Sequence, residues 1–326
     1  MAKTLDVLLL LALPASGKSE VRRYLAHLTP DQCRNDFHMG PTVQLDDYPY
    51  VHLMRRVSQE ATKLGLGGTF FVSDELPMKE PLDWGTLIEL LNEDYEDLVK
   101  KRKATPKSAA EWLLERFDAA RKKVGAKPAF AGMPADTRRK LTDALEKDAA
   151  ALLKDKNEGI PDTLQGKTVV MEFARGGADG SKMPLASPYG YQYSLSILSD
   201  AILERASALY VWVTPEESRR KNRERAAPNN PGSILAHGVP MPVMMGDYGC
   251  DDMEHLIGAS DKPDTVKVQT RGKSFRVPVA RFDNRKDKTT FVRGKKDEWR
   301  KDDVKALHEG LAEAFGRLIK AESQRK

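Results

Sequence analysis

The stretch Ala12-Leu13-Pro14-Ala15-Ser16-Gly17-Lys18-Ser19 carries the most specific chemistry in the chain. It fits the phosphate-binding pattern G-x-x-x-x-G-K-[ST], with Ala12 in place of the first glycine. Such a loop turns successive backbone N–H groups onto an anion, a lysine neutralises β- and γ-phosphate oxygens, and a small hydroxyl holds Mg²⁺. Gly17, Lys18 and Ser19 supply these parts; Pro14, Ala15, Ser16 and Glu20 complete the candidate nucleotide-contacting stretch. Ala12 is the discordant residue, because a Cβ restricts positive φ.

Two carboxylate sites and a basic helix accompany the loop. "PTVQLDDYPY" reads as a strand from about Thr42 to Leu45, with Asp46 and Asp47 just past its C-terminal edge. A hydroxyl acceptor needs a carboxylate to take its proton as the phosphoryl group arrives. Asp46 is preferred for that role over Asp47, although an aspartate there would also serve a helix start. "KTVVMEFARGG" is an apolar strand ending in Glu172, a carboxylate able to hold Mg²⁺ through water or orient a nucleophile. The bland counterpart is a polar strand terminus. Arg219, Arg220, Arg223 and Arg225 follow a further strand. Arg219 and Arg223 share a helix face at i, i+4, and guanidiniums fork onto phosphate oxygens. A lid that stabilises a group in transit is expected; a solvated basic helix is the alternative. His237, Cys250, Asp251 and His255 match no usual zinc spacing and are assigned no metal.

The elements that must position these residues follow from periodicity. Val7 to Leu13 is a short apolar run suited to a buried parallel strand. Val21, Tyr24, Leu25 and Leu28 then recur at the spacing of one buried helix face. A secretory signal is the competing reading of the apolar run. It lies at the bottom of the roughly 7–15-residue range for such segments, Asp6 adjoins it, and only Lys3 precedes it, so a first sheet strand is expected. A helix over Val51–Leu64 follows, and Thr69–Leu76 is a second short strand or an edge piece. Residues 83–160 are charged and helical, an insertion forming a substrate or lid subdomain. Beyond it come the strand ending at Glu172, a helix over Tyr191–Ala206 and a strand over Ala208–Pro215. A hairpin over Thr265–Asn284 turns at Arg271-Gly272, its second arm joining the sheet, and a helix over Glu298–Lys320 ends the chain. The alternation argues for an α/β layer fold with ligands at the carboxyl ends of the strands.

Composition bounds the rest. The chain's 326 residues hold one large or two ordinary domains, and 40% hydrophobic content excludes a disordered chain. A formal net charge of +5 suits an anionic ligand without demanding nucleic acid. Cys33 and Cys250, the two cysteines, imply no disulfide framework, and a cytoplasmic location is expected. No apolar stretch approaches the ~18 residues of a membrane span, so no membrane partner is expected.

On these residues the chain resembles the P-loop kinases of the nucleoside and nucleotide kinase group. "ALPASGKSEVRRYL" is similar to their G-x-P-G-S-G-K-S/T start, with Ala12 and Ala15 replacing two glycines. "VQLDDYPY" resembles the h-D-D-F-Y stretch of the uridine kinase and phosphoribulokinase branch, whose aspartate is the acceptor's base; Asp46 or Asp47 holds that position. "VVMEFARGG" resembles the D-G-F-P-R stretch of adenylate kinases, placing Glu172 at the acidic position and Arg175 at the phosphate-contacting arginine. "YVWVTPEESRRKNRER" is similar to the strand-then-lid segment, and "VARFDN" to the last strand, after which Asn284 would lie against adenine. The resemblance spans roughly Met1–Leu76 and Thr168–Asn284; the insertion and the segment after Pro228 match nothing.

The resemblance implies an α/β P-loop NTPase-type three-layer sandwich with a mostly parallel central sheet and a helical insertion. Residues 1–82 and 161–326 would form the kinase core around 83–160. It also implies ATP and Mg²⁺, and transfer of the γ-phosphate to a hydroxyl of a small metabolite or nucleoside. Lys18, Asp46, Arg219 and Arg223 would be catalytic, Ser19 and Glu172 would serve the metal, and Asp47 and Arg175 the substrate. A nucleoside monophosphate kinase, a polynucleotide 5′-hydroxyl kinase and a non-catalytic ATP-binding regulator stand as alternatives, nucleic acid being the less favoured partner.

Overall fold

The computed structural model describes residues 4–225 and 238–325, so His237 lies outside the described residues. The chain opens with β1 (Val7–Leu11), α1 (Lys18–Ala26), α2 (Pro30–Phe37), β2 (Thr42–Asp46) and α3 (Tyr48–Lys63). The insertion supplies α4 (Asp83–Lys100), α5 (Ala109–Lys123) and α6 (Ala135–Glu158). The sheet resumes with β3 (Thr168–Phe173), α7 (Gly190–Ile197), α8 (Asp200–Leu203), β4 (Ala206–Trp212) and α9 (Pro215–Arg225). Then come α10 (Met241–Gly246), α11 (Met253–Gly258), β5 (Thr265–Thr270), β6 (Lys273–Asp283) and α12 (Lys301–Ser323).

The six strands form one sheet in the order β2-β3-β1-β4-β6-β5, parallel throughout except for the β5–β6 hairpin. Every residue of β1 and β3 is buried, as a strand covered on both faces requires. β2 alternates exposed and buried residues at the edge. The strand period of two divides β1 between two cores. Val7, Leu9 and Leu11 pack with α7 and part of α4, while Leu8 and Leu10 pack with α1 and α12. Helices therefore cover both faces.

A third apolar cluster fills the insertion and takes in α3 together with Phe70 and Phe71. α4 ties it to the sheet. Its Trp84, Leu87 and Leu90 face the helical cluster, and its Ile88, Leu91 and Tyr95 face the sheet. The helical body thus begins in packing terms at α3, directly after the Asp46–Asp47 pair.

Two sequence expectations change. Thr69–Leu76 forms no strand, only an isolated bridge between Phe71 and Met78. The N–H groups of Phe70 and Phe71 go instead to the buried Ser58 hydroxyl, at 2.9 and 3.1 Å. The helix expected over Tyr191–Ala206 breaks after Ile197, and Ala206 opens β4. Asn92 causes the break: its side chain donates to the Ile197 carbonyl and accepts from the Ser199 N–H, each at 2.9 Å. Among the described residues no helix is long and apolar enough to cross a membrane. Because Ser58 satisfies two buried backbone donors, Ser58→Ala should cost about 1–3 kcal/mol of unfolding free energy in urea titration. A loss below about 0.5 kcal/mol would show that those N–H groups find other acceptors.

Candidate phosphate-binding cavity

β1 delivers the chain into the loop at the carboxyl edge of the sheet. Three loop carbonyls are held by donors from elsewhere in the fold. Ala12 O accepts from the Tyr191 hydroxyl at 3.0 Å and from Lys18 Nζ at 3.1 Å. Pro14 O accepts from Ser218 Oγ at 2.7 Å, and Ser16 O from Asn284 Nδ2 at 2.8 Å. In planar trans peptides the N–H that follows each carbonyl points the other way. Gly17 is the N-cap of α1 with φ 108°, and no side chain caps it. The first-turn N–H groups of α1 thus keep the anion-binding character of a helix start.

The glycine at position 17 is obligatory on steric grounds. A Cβ there would stand 2.5 Å from Thr289 Oγ1 and 2.7 Å from Asn284 Nδ2. Ala12, the residue that breaks the sequence pattern, is fully buried and is not among the positive-φ residues. The left-handed position falls on Ala15, at φ 57°, which costs an alanine about 1–2 kcal/mol.

Strand register brings the carboxylates beside this loop. Glu172 pairs with Leu10 of β1 on one side and with Asp46 of β2 on the other. Arg22, one turn along α1 from Lys18, reaches both: Nη1 lies 2.7 Å from Glu172 Oε2 and 3.4 Å from Asp46 Oδ2. Asp46 Oδ1 also accepts the Tyr48 N–H at 2.9 Å at the start of α3. Burial, then the neighbouring Glu172 and Asp47, push the Asp46 carboxyl up to about 7. Asp47 is likewise raised, chiefly by burial, against the pull of Arg175. Burial lowers the Lys18 ammonium, opposed by Glu172, Asp47 and Asp46.

These groups open onto a cavity of about 540 Å³. Pro14, Ala15, Ser16, Lys18, Ser19, Asp46, Asp47 and Glu172 all line it, as the sequence expects. Other expected residues do not. Glu20 is buried against Arg225 and Arg293, so it braces α1 and faces no ligand. Asn284 sits beneath the loop, bonded to Ser16 O and Thr289, and is a support where a base contact was expected. Arg175 lies behind Asp47, 2.6 Å from its Oδ2 and 2% exposed, with Trp84 and Phe173 against its guanidinium. The lid pair is also displaced. Arg219 is held by Asp179 and Glu216, and Arg223 is exposed. The inner face of α9 is the stripe Ser218, Lys221, Asn222 and Arg225, of which Arg225 reaches the cavity.

Arg22 was therefore missed, and Arg225, named in the basic cluster, was passed over in favour of Arg219 and Arg223. Their signals were present: Arg22 at i+4 from Lys18, and Arg225 at i+7 from the only serine on its helix. Val51, His52, Arg55, Arg56 and Gln59 line the far wall as one stripe of α3, with Trp84 and Tyr248 from distant segments. No sequence spacing connects the last two.

The oxygen donors fit Mg²⁺. Among the described residues no three His, Cys, Asp or Glu side chains converge as a metal-binding group. Mg²⁺ does not need one: it is bound through one or two protein oxygens and completes its shell with water and phosphate. Ser19 with Glu172 or Asp46 supplies that number. Comparison with protein-family models, with curated proteins and with solved structures yields no match, and the geometry of the cavity itself carries the functional reading.

A raised folded-state pKa makes ionised Asp46 a source of instability. The unfolded chain releases that proton near 4, whereas the fold retains it up to about 7. Stability therefore falls as pH rises across that interval. Asp46→Asn should raise the melting temperature relative to wild type, by more at pH 8 than at pH 5. A difference that is flat or shrinks with pH in matched thermal melts contradicts the electrostatic account.

Proposed function

We propose that the protein is an ATP- and Mg²⁺-dependent phosphotransferase of the P-loop kinase type, acting on a hydroxyl of a small molecule. The observation that carries this is the single cavity shared by Lys18, Ser19 and the carboxylates Asp46 and Glu172. The strand order, with β1 flanked by β3 and β4 and the loop running from β1 into α1, supports a P-loop NTPase-type sandwich.

In this reading the phosphates of ATP occupy the loop from Pro14 to Ser19, with Lys18 exchanging its bond to the Ala12 carbonyl for the β- and γ-oxygens. Mg²⁺, held by Ser19 and through water by Glu172, would neutralise phosphate charge. The acceptor hydroxyl oxygen bonds to the γ-phosphorus as the bond from that phosphorus to the β–γ bridging oxygen breaks, and ADP leaves. Asp46 takes the hydroxyl proton, and Arg22 and Arg225 contribute the positive field assigned by sequence to Arg219 and Arg223. Asp47, fixed by Arg175, holds the acceptor in place. Catalysis is mostly positioning and electrostatics. A carboxylate raised to about 7 is suited to a base at neutral pH.

A γ-phosphate transfer screen over small hydroxyl acceptors tests the proposal. Lys18→Ala should abolish transfer with the fold intact by circular dichroism, and unchanged turnover in that variant sinks the assignment. Asp46→Asn should lower kcat by roughly 10²–10⁴-fold and remove the acid limb near pH 7 from the kcat/KM profile. An undiminished rate would point to an acceptor that needs no base, such as a phosphate.

A further inference from the structure

The cavity wall facing the loop carries two adjacent arginines with different surroundings. Arg56 is engaged within the fold: its guanidinium donates to Asp148 at 3.0 Å and to Gln59 at 2.8 Å, and pairs with Glu60 at 3.0 Å. Arg55 is not. Its guanidinium lies over the Phe71 ring, 4.0 Å from the centroid, and Nη1 donates to the Asp74 carbonyl at 2.9 Å. Among the described residues the one carboxylate oxygen within 4 Å is Asp74 Oδ1, at 3.9 Å. That carboxylate turns to Gln59 Nε2, 2.7 Å away. The other cavity arginines differ again, Arg22 holding Glu172 at 2.7 Å and Arg225 holding Glu20 at 3.2 Å. Arg55 is thus held flat by a ring and one backbone carbonyl, with most of its five donors still to be used. Asp247, buried on the same cavity lining, has one oxygen on the Met78 N–H at 3.1 Å.

We propose that this half of the cavity binds the phosphoryl acceptor through an oxyanion of the acceptor's own, a phosphate or a carboxylate, seated on Arg55 above Phe71. Asp247 accepts one of the acceptor's hydroxyls. The proposal rests on the kinase reading of the loop. Along α3, Arg55 stands roughly 12 Å beyond the Asp46–Asp47 end at 1.5 Å per residue, and its side chain shortens the gap. A molecule that spans from Asp46 to Arg55 is therefore of metabolite size, anionic at the end away from the reacting hydroxyl.

Calorimetric titration with three matched probes, glucose, gluconate and glucose 6-phosphate, tests this. The protein is first saturated with Mg²⁺ and a non-hydrolysable ATP analogue, so that the phosphate loop is filled before the probe is added. At least one of the two anions should bind about tenfold more tightly than glucose. Which anion it is tells carboxylate from phosphate. Arg55→Gln should erase that preference while leaving the affinity for the analogue unchanged, and Arg55→Lys should restore part of it. Three probes that bind alike, or not at all, overturn the proposal, as does a preference that survives Arg55→Gln. Wild-type protein that fails to bind the analogue overturns the kinase reading, and this inference with it.

Discussion

The capture of three loop carbonyls by side chains from distant segments is the constraint on which the rest of the site depends. A chain turning from a buried strand into a helix can present either its carbonyls or its N–H groups to the space above the sheet. Tyr191, Ser218 and Asn284 decide the matter by taking the carbonyls of Ala12, Pro14 and Ser16. They come from α7, α9 and the segment after β6, so the loop is braced from three sides. The glycine-rich pattern normally gives such a loop its freedom. Here two alanines remove part of that freedom, and the braces hold the geometry against the left-handed strain at Ala15. Gly17 remains because Thr289 and Asn284 stand where its side chain would be.

The same sheet edge concentrates charge that the fold does not fully neutralise. Asp46, Asp47 and Glu172 gather around one buried ammonium and two arginines. Arg175 is committed to Asp47, and Arg22 is shared, closer to Glu172 than to Asp46. Asp46 keeps the longest ion pair of the three, and burial with the neighbouring Glu172 and Asp47 raises its carboxyl to about 7. A group in that condition destabilises the fold when ionised. Its retention is understandable if a proton acceptor is needed there, which ties the stability argument to the proposed chemistry.

Most of the sheet was legible because its strands are short apolar runs ending in turn residues, and the Arg271-Gly272 hairpin carries its own turn chemistry. The turn between β1 and α1 was legible because strand, turn and helix follow one another without a gap. What sequence periodicity missed depends on side chains reaching across the fold. Asn92 breaks a helix that lies far along the chain, and Ser58 draws Phe70 and Phe71 out of a strand. On α9 the sequence singled out Arg219 and Arg223, whereas Arg225 is the one that lines the cavity, because two i, i+4 pairings compete on one helix and only packing chooses between them. Asn284 was placed in a nucleotide-binding role and instead supports the loop from below. The far wall of the cavity brings together α3, Trp84 and Tyr248, segments that share no motif.

The most direct measurement of the central claim is the affinity for Mg²⁺·ATP in wild type, Ser218→Ala and Asn284→Ala, by isothermal titration calorimetry. The braced-loop account predicts saturable binding to wild type at one site. It further predicts an affinity roughly tenfold weaker in each variant, each still folding cooperatively in thermal melts, since each change frees a loop carbonyl; Asn284→Ala also gives up the bonds to Thr289 and the Lys288 N–H and is the less stable of the two. Absence of binding to wild type, or full affinity in both variants, would contradict it.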